Sequence, residues 1–266
     1  MSFAFLKGHG TRNDFIVLPD LDGSVHGELS SSVVVALCDR HAGLGADGVL
    51  RVIASNGSAP WFMDYRNADG SLSEMCGNGV RVFARYLEAS GLVDRSDPLH
   101  IDTRGGVKRV TFCDDGEISV EMGTPMALQE TFVSSAGVEY QARAVDVGNP
   151  HAVVRVASLE ALGGLTEAPL YSTQHFPHGV NVEFVEVRGD ERIAMRVYER
   201  GVGETASCGT GAVAAAVAVR TQLGDRGAAS YAVEVRGGRL TVTIDGDGCA
   251  HLKGPAVLVA DGTWTG

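Results

Sequence analysis

The chain has 266 residues, 44% of them hydrophobic, enough to bury a full core in one domain or two without disulfides or metal. Its 33 acidic residues outnumber 22 basic ones for a formal net charge of −11, and no lysine or arginine run breaks that balance, which excludes a nucleic-acid partner. No apolar stretch near the second cysteine motif approaches the ~20 residues of a membrane helix, Met1 to Gly10 lacks a secretory pattern, and five cysteines without a C-x-x-C pair give no disulfide framework or zinc ribbon, so a reducing cytoplasm is expected.

In chain order, Phe3 to Leu6 reads as a strand and Gly8-His9-Gly10-Thr11-Arg12-Asn13 as a turn. Phe15 to Leu18 is then a strand and Ser31 to Asp39 a helix. Arg51 to Ala54 and Trp61 to Tyr65 read as strands leading into the loop Asn67 to Ser71. A helix over Val80 to Leu87 follows Cys76 and closes near Gly91. Val107 to Cys113 begins a hairpin that turns at Asp115-Gly116 and ends at Gly123-Thr124-Pro125. The second half has strands at Ala142 to Val147, Ala152 to Val156, Val182 to Val187 and Ile193 to Tyr198. Its helix, Ala212 to Val219, follows Cys208 and closes near Gly224, and its hairpin starts at Arg239 to Ile244 and turns near Asp247-Gly248.

The halves are in register. Cys76-Gly77-Asn78-Gly79 recurs 132 residues later as Cys208-Gly209-Thr210-Gly211, and 28 residues past each cysteine stands Arg-Gly-Gly, at Arg104 and at Arg236. That period is too long for a solenoid and reads as an internal duplication. The expected fold is α/β (α+β): two pseudo-symmetric domains, each a mostly antiparallel or mixed sheet around a central helix, with the active site in the cleft between them. The division is expected at 127/128, giving domains 1–127 and 128–266, with a final segment of about 256–266 packing back on the first half.

A cysteine placed directly before G-x-G at a helix start has a chemical consequence. First-turn N–H groups lack intrahelical partners, and glycine leaves them open to an anion. The same positive helix end favours thiolate over thiol. Two such ends aimed at one carboxylate would set its α-carbon between two sulfurs. One thiolate removes the α-proton and the opposite thiol returns one, which inverts the centre, while converging amides stabilise the enolate-like charge. This is a racemase or epimerase arrangement that needs no cofactor and no metal. Cys38, Cys113 and Cys249, in apolar or hairpin contexts, read as structural. His175-x-x-His178 has Pro177 between and no third ligand nearby, so it reads as a loop. Gly8 to Gly10 has no phosphate-loop pattern around it.

Asn13-Asp14-Phe15, Asn67-Ala68-Asp69-Gly70-Ser71, Cys76-Gly77-Asn78-Gly79, Gly148-Asn149-Pro150-His151, Tyr198-Glu199-Arg200-Gly201 and Gly203-Glu204-Thr205 before Cys208-Gly209-Thr210-Gly211 closely resemble the diaminopimelate epimerase family, nearly end to end. The resemblance implies pyridoxal-independent interconversion of LL- and meso-2,6-diaminopimelate in bacterial lysine and cell-wall synthesis, with a homodimer as the expected assembly. By position it makes Cys76 and Cys208 the acid/base thiols and His151 and Glu199 the residues that tune them. It gives Asn13, Asn67, Gly77, Asn78, Asn149, Asn181, Glu199, Arg200, Gly209 and Thr210 to substrate, the backbone of Gly77-Asn78 and Gly209-Thr210 holding the reacting carboxylate. A diamino diacid needs fixed neutral donors and acceptors, an arginine for a carboxylate and a carboxylate for an ammonium. The chain departs from the family at Gly48, where some members carry a glutamine that touches substrate. Rival readings are a proline or hydroxyproline racemase, against which Glu199 and Arg200 argue, and a non-catalytic amino-acid-binding or thiol redox-sensing module, which would not exchange a substrate α-proton with solvent.

Overall fold

The computed structural model describes residues 2–224 and 227–266. The chain divides into two units, Met1–Val120 with Gly254–Gly266, and Glu121–Lys253. The division therefore falls before the expected 127/128. The strand Met126–Ser135 turns through Ala136-Gly137 and pairs with Val138–Asp146. A cut at 127/128 would split that hairpin.

The first unit contains β1 (Phe3–Gly10), β2 (Asn13–Pro19), α1 (Ser31–Cys38), β3 (Gly48–Ala54), β4 (Trp61–Asn67), α2 (Gly77–Ala89), β5 (Leu99–Asp102), β6 (Lys108–Phe112) and the first half of β7 (Ile118–Gly123). The second contains β8 (Met126–Ser135), β9 (Val138–Asp146), β10 (Pro150–Val156), β11 (Leu170–Tyr171), β12 (Asn181–Gly189), β13 (Arg192–Glu199), β14 (Gly203–Thr205), α3 (Gly209–Gln222), β15 (Ala229–Val235), β16 (Gly238–Ile244) and β17 (Ala250–Gly254). The last strand, β18 (Val257–Trp264), pairs with β1 and so completes the first unit.

Each unit has one pattern of strand pairing. In the first, β18 and β1, then β1 and β2, are antiparallel; β2 and β3 parallel; β3 and β4 antiparallel; β4 and β5 parallel; β5, β6 and β7 antiparallel in turn. The same alternation runs β8, β9, β10, β12, β13, β15, β16, β17 in the second. Each parallel step needs a crossover, and α2 and α3 supply the crossover at matching places.

Helix α3 is Gly, Ala and Val over most of its length, and Gly209 through Val219 are all buried. A helix apolar on every side must be enclosed, and its small side chains let strands approach from all round. Helix α2 is buried from Gly77 through Ala84 and again at Tyr86 and Leu87. It rests on β1 so closely that a Cβ on Gly8 would stand 2.9 Å from Val82 Cγ1 and 3.0 Å from the Val257 carbonyl. Gly8 and Gly10 are thus strand residues under a helix and not the expected turn. The turn is Thr11-Arg12, both left-handed at φ 49° and 64°. The strands β8, β15 and β18, with short β5, β11 and β14, have no counterpart in the sequence reading.

Candidate active site

Cys76 and Cys208 occupy identical local positions. Each is the N-cap of its helix in an extended conformation, φ −142° and −122° with ψ 119° in both. Each sulfur accepts the amide three residues on, from Gly79 and Gly211, at 3.4 Å. Sulfur here does what a serine or threonine oxygen does in an ordinary cap. The repeated Arg-Gly-Gly explains how the approach loop is held. The amide of Gly105 donates to the Glu74 carbonyl at 2.9 Å and that of Gly237 to the Ala206 carbonyl at 2.8 Å, each acceptor two residues before its cysteine. Arg104 binds Asp64 at 2.5 Å, and Arg236 binds Glu204 at 2.9 Å.

Around Cys76 the thiol points to Asn13 Oδ1 at 3.6 Å, and the same oxygen accepts from Asn78 Nδ2 at 3.1 Å. Asn13 is oriented from its other end, donating to Asp47 Oδ2 at 2.7 Å. Asn67 closes β4 and donates to Ser71 Oγ at 3.0 Å within its own loop. Gly48 opens β3, and a Cβ there would lie 2.6 Å from the Arg66 carbonyl and 2.7 Å from Tyr65 Cε2. A glutamine would require the adjoining strand to move.

Cys208 is more deeply enclosed, 6% exposed. Burial first, then the charges of Glu199 and Glu183, push its thiol well above the ordinary value. Burial likewise raises the Glu199 carboxyl, against hydrogen bonds from Thr205 and Cys208. His151 and Glu183 form a fully buried pair, Nδ1 to Oε1 at 2.7 Å. From His151 Nε2 the network continues to Asn149 Oδ1 at 3.0 Å, from Asn149 Nδ2 to Thr210 Oγ1 at 3.4 Å, and from that hydroxyl to Cys208 Sγ at 3.5 Å. His151 is therefore linked to Cys208 through Asn149 and Thr210, whereas Glu199 acts on the thiol by its charge. Asn181 Oδ1 accepts the Arg200 backbone amide at 2.9 Å, and the Arg200 guanidinium donates to the His178 carbonyl at 2.7 Å. A cavity of 350 Å³ in this unit is lined by Tyr171, Tyr198 and Arg200 among others.

Two charged residues escaped the sequence reading. Glu183 is an acid inside the wholly buried run Val182 to Val185 of β12, and Arg81 a cation inside the buried part of α2. A charge in a run otherwise fit for the interior was the available signal. His175 bonds Thr131 Oγ1 at 2.9 Å, and no group of three or more metal-capable side chains is assembled among the described residues. Cys38 sits in the core with Phe3, Ile16 and Leu37, its thiol pushed up by burial to about 11. No helix among the described residues is long and apolar enough to cross a membrane.

The fold is shared with a Bacillus anthracis phenazine biosynthesis protein of the PhzF family, at a TM-score of 0.75 and 17% identity over 100% of this chain and 99% of that one. It is shared also with a hydroxyproline epimerase from Agrobacterium vitis, at 0.73 and 15% over 98% and 92%. The class these likenesses and the site define is a duplicated two-unit fold, here with a cysteine capping each central helix. A family model described as diaminopimelate epimerase matches residues 5–128 and 143–259, one segment per half. The diaminopimelate epimerase of Streptomyces coelicolor is 50% identical over 97% of this chain and 94% of that protein, and that of Thermobifida fusca 47% over 97% and 96%. The chain belongs to the diaminopimelate epimerase family.

Proposed function

We propose that this chain interconverts LL- and meso-2,6-diaminopimelate, with Cys76 and Cys208 as the two acid/base groups acting on one α-carbon and neither pyridoxal nor metal taking part. The observation that carries this reading is the pair of repeat-equivalent cysteine caps, each with a helix amide 3.4 Å from its sulfur. A thiolate takes the α-proton and the electron pair passes into the carboxylate as an enolate. A thiol approaching the opposite face returns a proton and the configuration inverts. The backbone of Gly77-Asn78 and Gly209-Thr210 would receive the reacting carboxylate, since helix N-termini favour anions. Asn13, Asn67, Asn149 and Asn181 would supply neutral contacts, with Glu199 facing an ammonium and Arg200 the distal carboxylate. Glu199 and, through Asn149 and Thr210, His151 would tune Cys208. With this go a cytoplasmic location, in keeping with five free cysteines, and a homodimer of the 27.9 kDa chain.

Incubation with LL-diaminopimelate in deuterium oxide tests the reaction. The α-carbon should gain deuterium as the meso isomer accumulates, and L-proline and hydroxyproline should exchange far more slowly. Cys76→Ser and Cys208→Ser should each lower epimerisation by roughly 10²-fold or more, while Cys38→Ser, Cys113→Ser and Cys249→Ser keep it. Near wild-type epimerisation in either of the first two variants would overturn the two-base assignment. Deuterium entering proline or hydroxyproline but not diaminopimelate would overturn the substrate.

A further inference from the structure

The duplication breaks at one buried position that bears on the thiols. Five residues past Cys76 stands Arg81, and five past Cys208 stands Val213. Both are 0% exposed. A valine there simply packs. An arginine brings a charge into the interior beside one cysteine and not the other.

The Arg81 guanidinium folds back on the first turn of α2. Nη1 donates to the Gly77 carbonyl at 3.2 Å, Nη2 to Asn78 Oδ1 at 2.8 Å, and Nε to the Pro255 carbonyl at 3.3 Å. All three acceptors are neutral, and among the described residues no carboxylate forms an ion pair with it. Burying a cation without a counter-ion is costly. Burial accordingly pulls the Arg81 pKa down to about 10, and charge on Cys76, followed by Glu117, pushes the other way. The charges carried by the strands packed against α2 are otherwise matched or exposed. On β1 and β2, Lys7 pairs with Asp14, which Arg40 also binds; on β3, Arg51 pairs with Asp20; on β4, Asp64 pairs with Arg66 and Arg104; on β18, Asp261 is exposed. Within α2 itself Arg85 pairs with Glu88.

We propose that Arg81 is a positioning residue that makes Cys76 the resting thiolate and, through Asn78, sets its neighbours, leaving Cys208 as the resting thiol. The assignment rests on the epimerase reading and deepens it: the free enzyme is primed to accept a proton at Cys76 and to donate one from Cys208. Electrostatic influence is reciprocal, so a thiolate that stabilises the guanidinium is stabilised by it. The contact of the Cys76 thiol with Asn13 Oδ1 at 3.6 Å opposes this. A thiol is a weak donor and that contact is long, whereas an opposite charge nearby lowers an acid's pKa by about 1–3 units. Arg81 also weakens the opposing contact, because its hold on Asn78 Oδ1 turns Asn78 Nδ2 onto the same Asn13 oxygen. At Cys208 the neighbouring charges are the carboxylates Glu199 and Glu183, which disfavour a thiolate.

Alkylation by iodoacetamide across the neutral and alkaline range, with each cysteine followed by peptide mapping, tests this without turnover. A failure here therefore leaves the epimerase reading to the deuterium experiment. The measure is the pH midpoint of each labelling curve, which is insensitive to differences in access. In the wild type the Cys76 midpoint should lie below that of Cys208. Arg81→Met should raise the Cys76 midpoint, cutting its labelling at neutral pH about tenfold or more, and leave the Cys208 midpoint in place. Arg81→Lys, which keeps the charge, should restore most of the shift. A Cys208 midpoint at or below that of Cys76 in the wild type overturns the proposal, as does an unmoved Cys76 midpoint in folded Arg81→Met. Should Arg81→Met not fold, the order of the two midpoints in the wild type decides.

Discussion

Glu199 and Asn67 stand at the same place in the two halves, each the last residue of its strand and nine residues before its cysteine. Their environments differ. Asn67 spends its amide on Ser71 in its own loop, while Glu199 is drawn to Thr205 and to the Cys208 thiol. A negative charge beside a thiol raises the thiol pKa, so removing the charge must lower it. In Glu199→Gln the alkylation midpoint of Cys208 should fall by up to about one pH unit, with Glu183 retaining part of the effect. Epimerisation should fall at the same time, because the variant loses the carboxylate proposed to face an ammonium and tune the thiol. A Cys208 midpoint that rises would show that Glu199 stands protonated and donates to the thiolate, and does not act as a charge.

The two cysteine helices look interchangeable in sequence, yet their second glycines are not. A Cβ on Gly79 would meet Leu50 Cδ2 at 3.3 Å and Cys76 Cβ at 3.5 Å, contacts that a small side-chain adjustment relieves. A Cβ on Gly211 would meet Glu183 Oε1 at 2.8 Å and Cys208 Sγ at 3.3 Å, pressing on a buried carboxylate held by His151. Alanine gains about 1 kcal/mol over glycine in a helix interior, which can offset the first contact and not the second. Gly79→Ala should keep its Tm within a few degrees of the wild type, and Gly211→Ala should melt lower and lose more activity. Equal losses would mean that the Glu183 carboxylate moves aside freely. What the sequence made legible at this scale was whatever depended on local pattern: the glycine frames, both central helices, the Arg-Gly-Gly repeats and most central strands. Gly8 and Gly10 misled because their reason lies in α2, which packs on them from about 70 residues along the chain. The final segment was expected against the first half but without a strand, and the long pairing with β1 is what gives β18 its form. Arg81 and Glu183 showed in the sequence only as charges inside apolar runs, and their partners, from Pro255 to His151, lie far along the chain.

At the scale of the whole molecule, the chain end belongs to the unit in which the chain began. The segment Gly254–Gly266 counts with the first unit, and its strand β18 pairs with β1 from Phe3 opposite Trp264 to His9 opposite Val257. It also supplies carbonyl acceptors for two arginines of α2, Pro255 for Arg81 and Ala256 for Arg85. Removing residues 255–266 leaves both cysteines and the second unit's strands in the chain but strips the first unit of an edge strand and of those acceptors. A buried guanidinium with an unmet N–H costs about 1–3 kcal/mol or more, in addition to the lost strand pairing. The truncated chain should therefore lose epimerase activity, and hydrogen exchange should speed up in β1 and α2 while β12, β13 and α3 keep their protection. Uniform loss of protection would mean that the two units unfold as one. Retained protection in β1 would mean that β18 contributes little to the strand it covers, and the account of how Arg81 is held would fall with it.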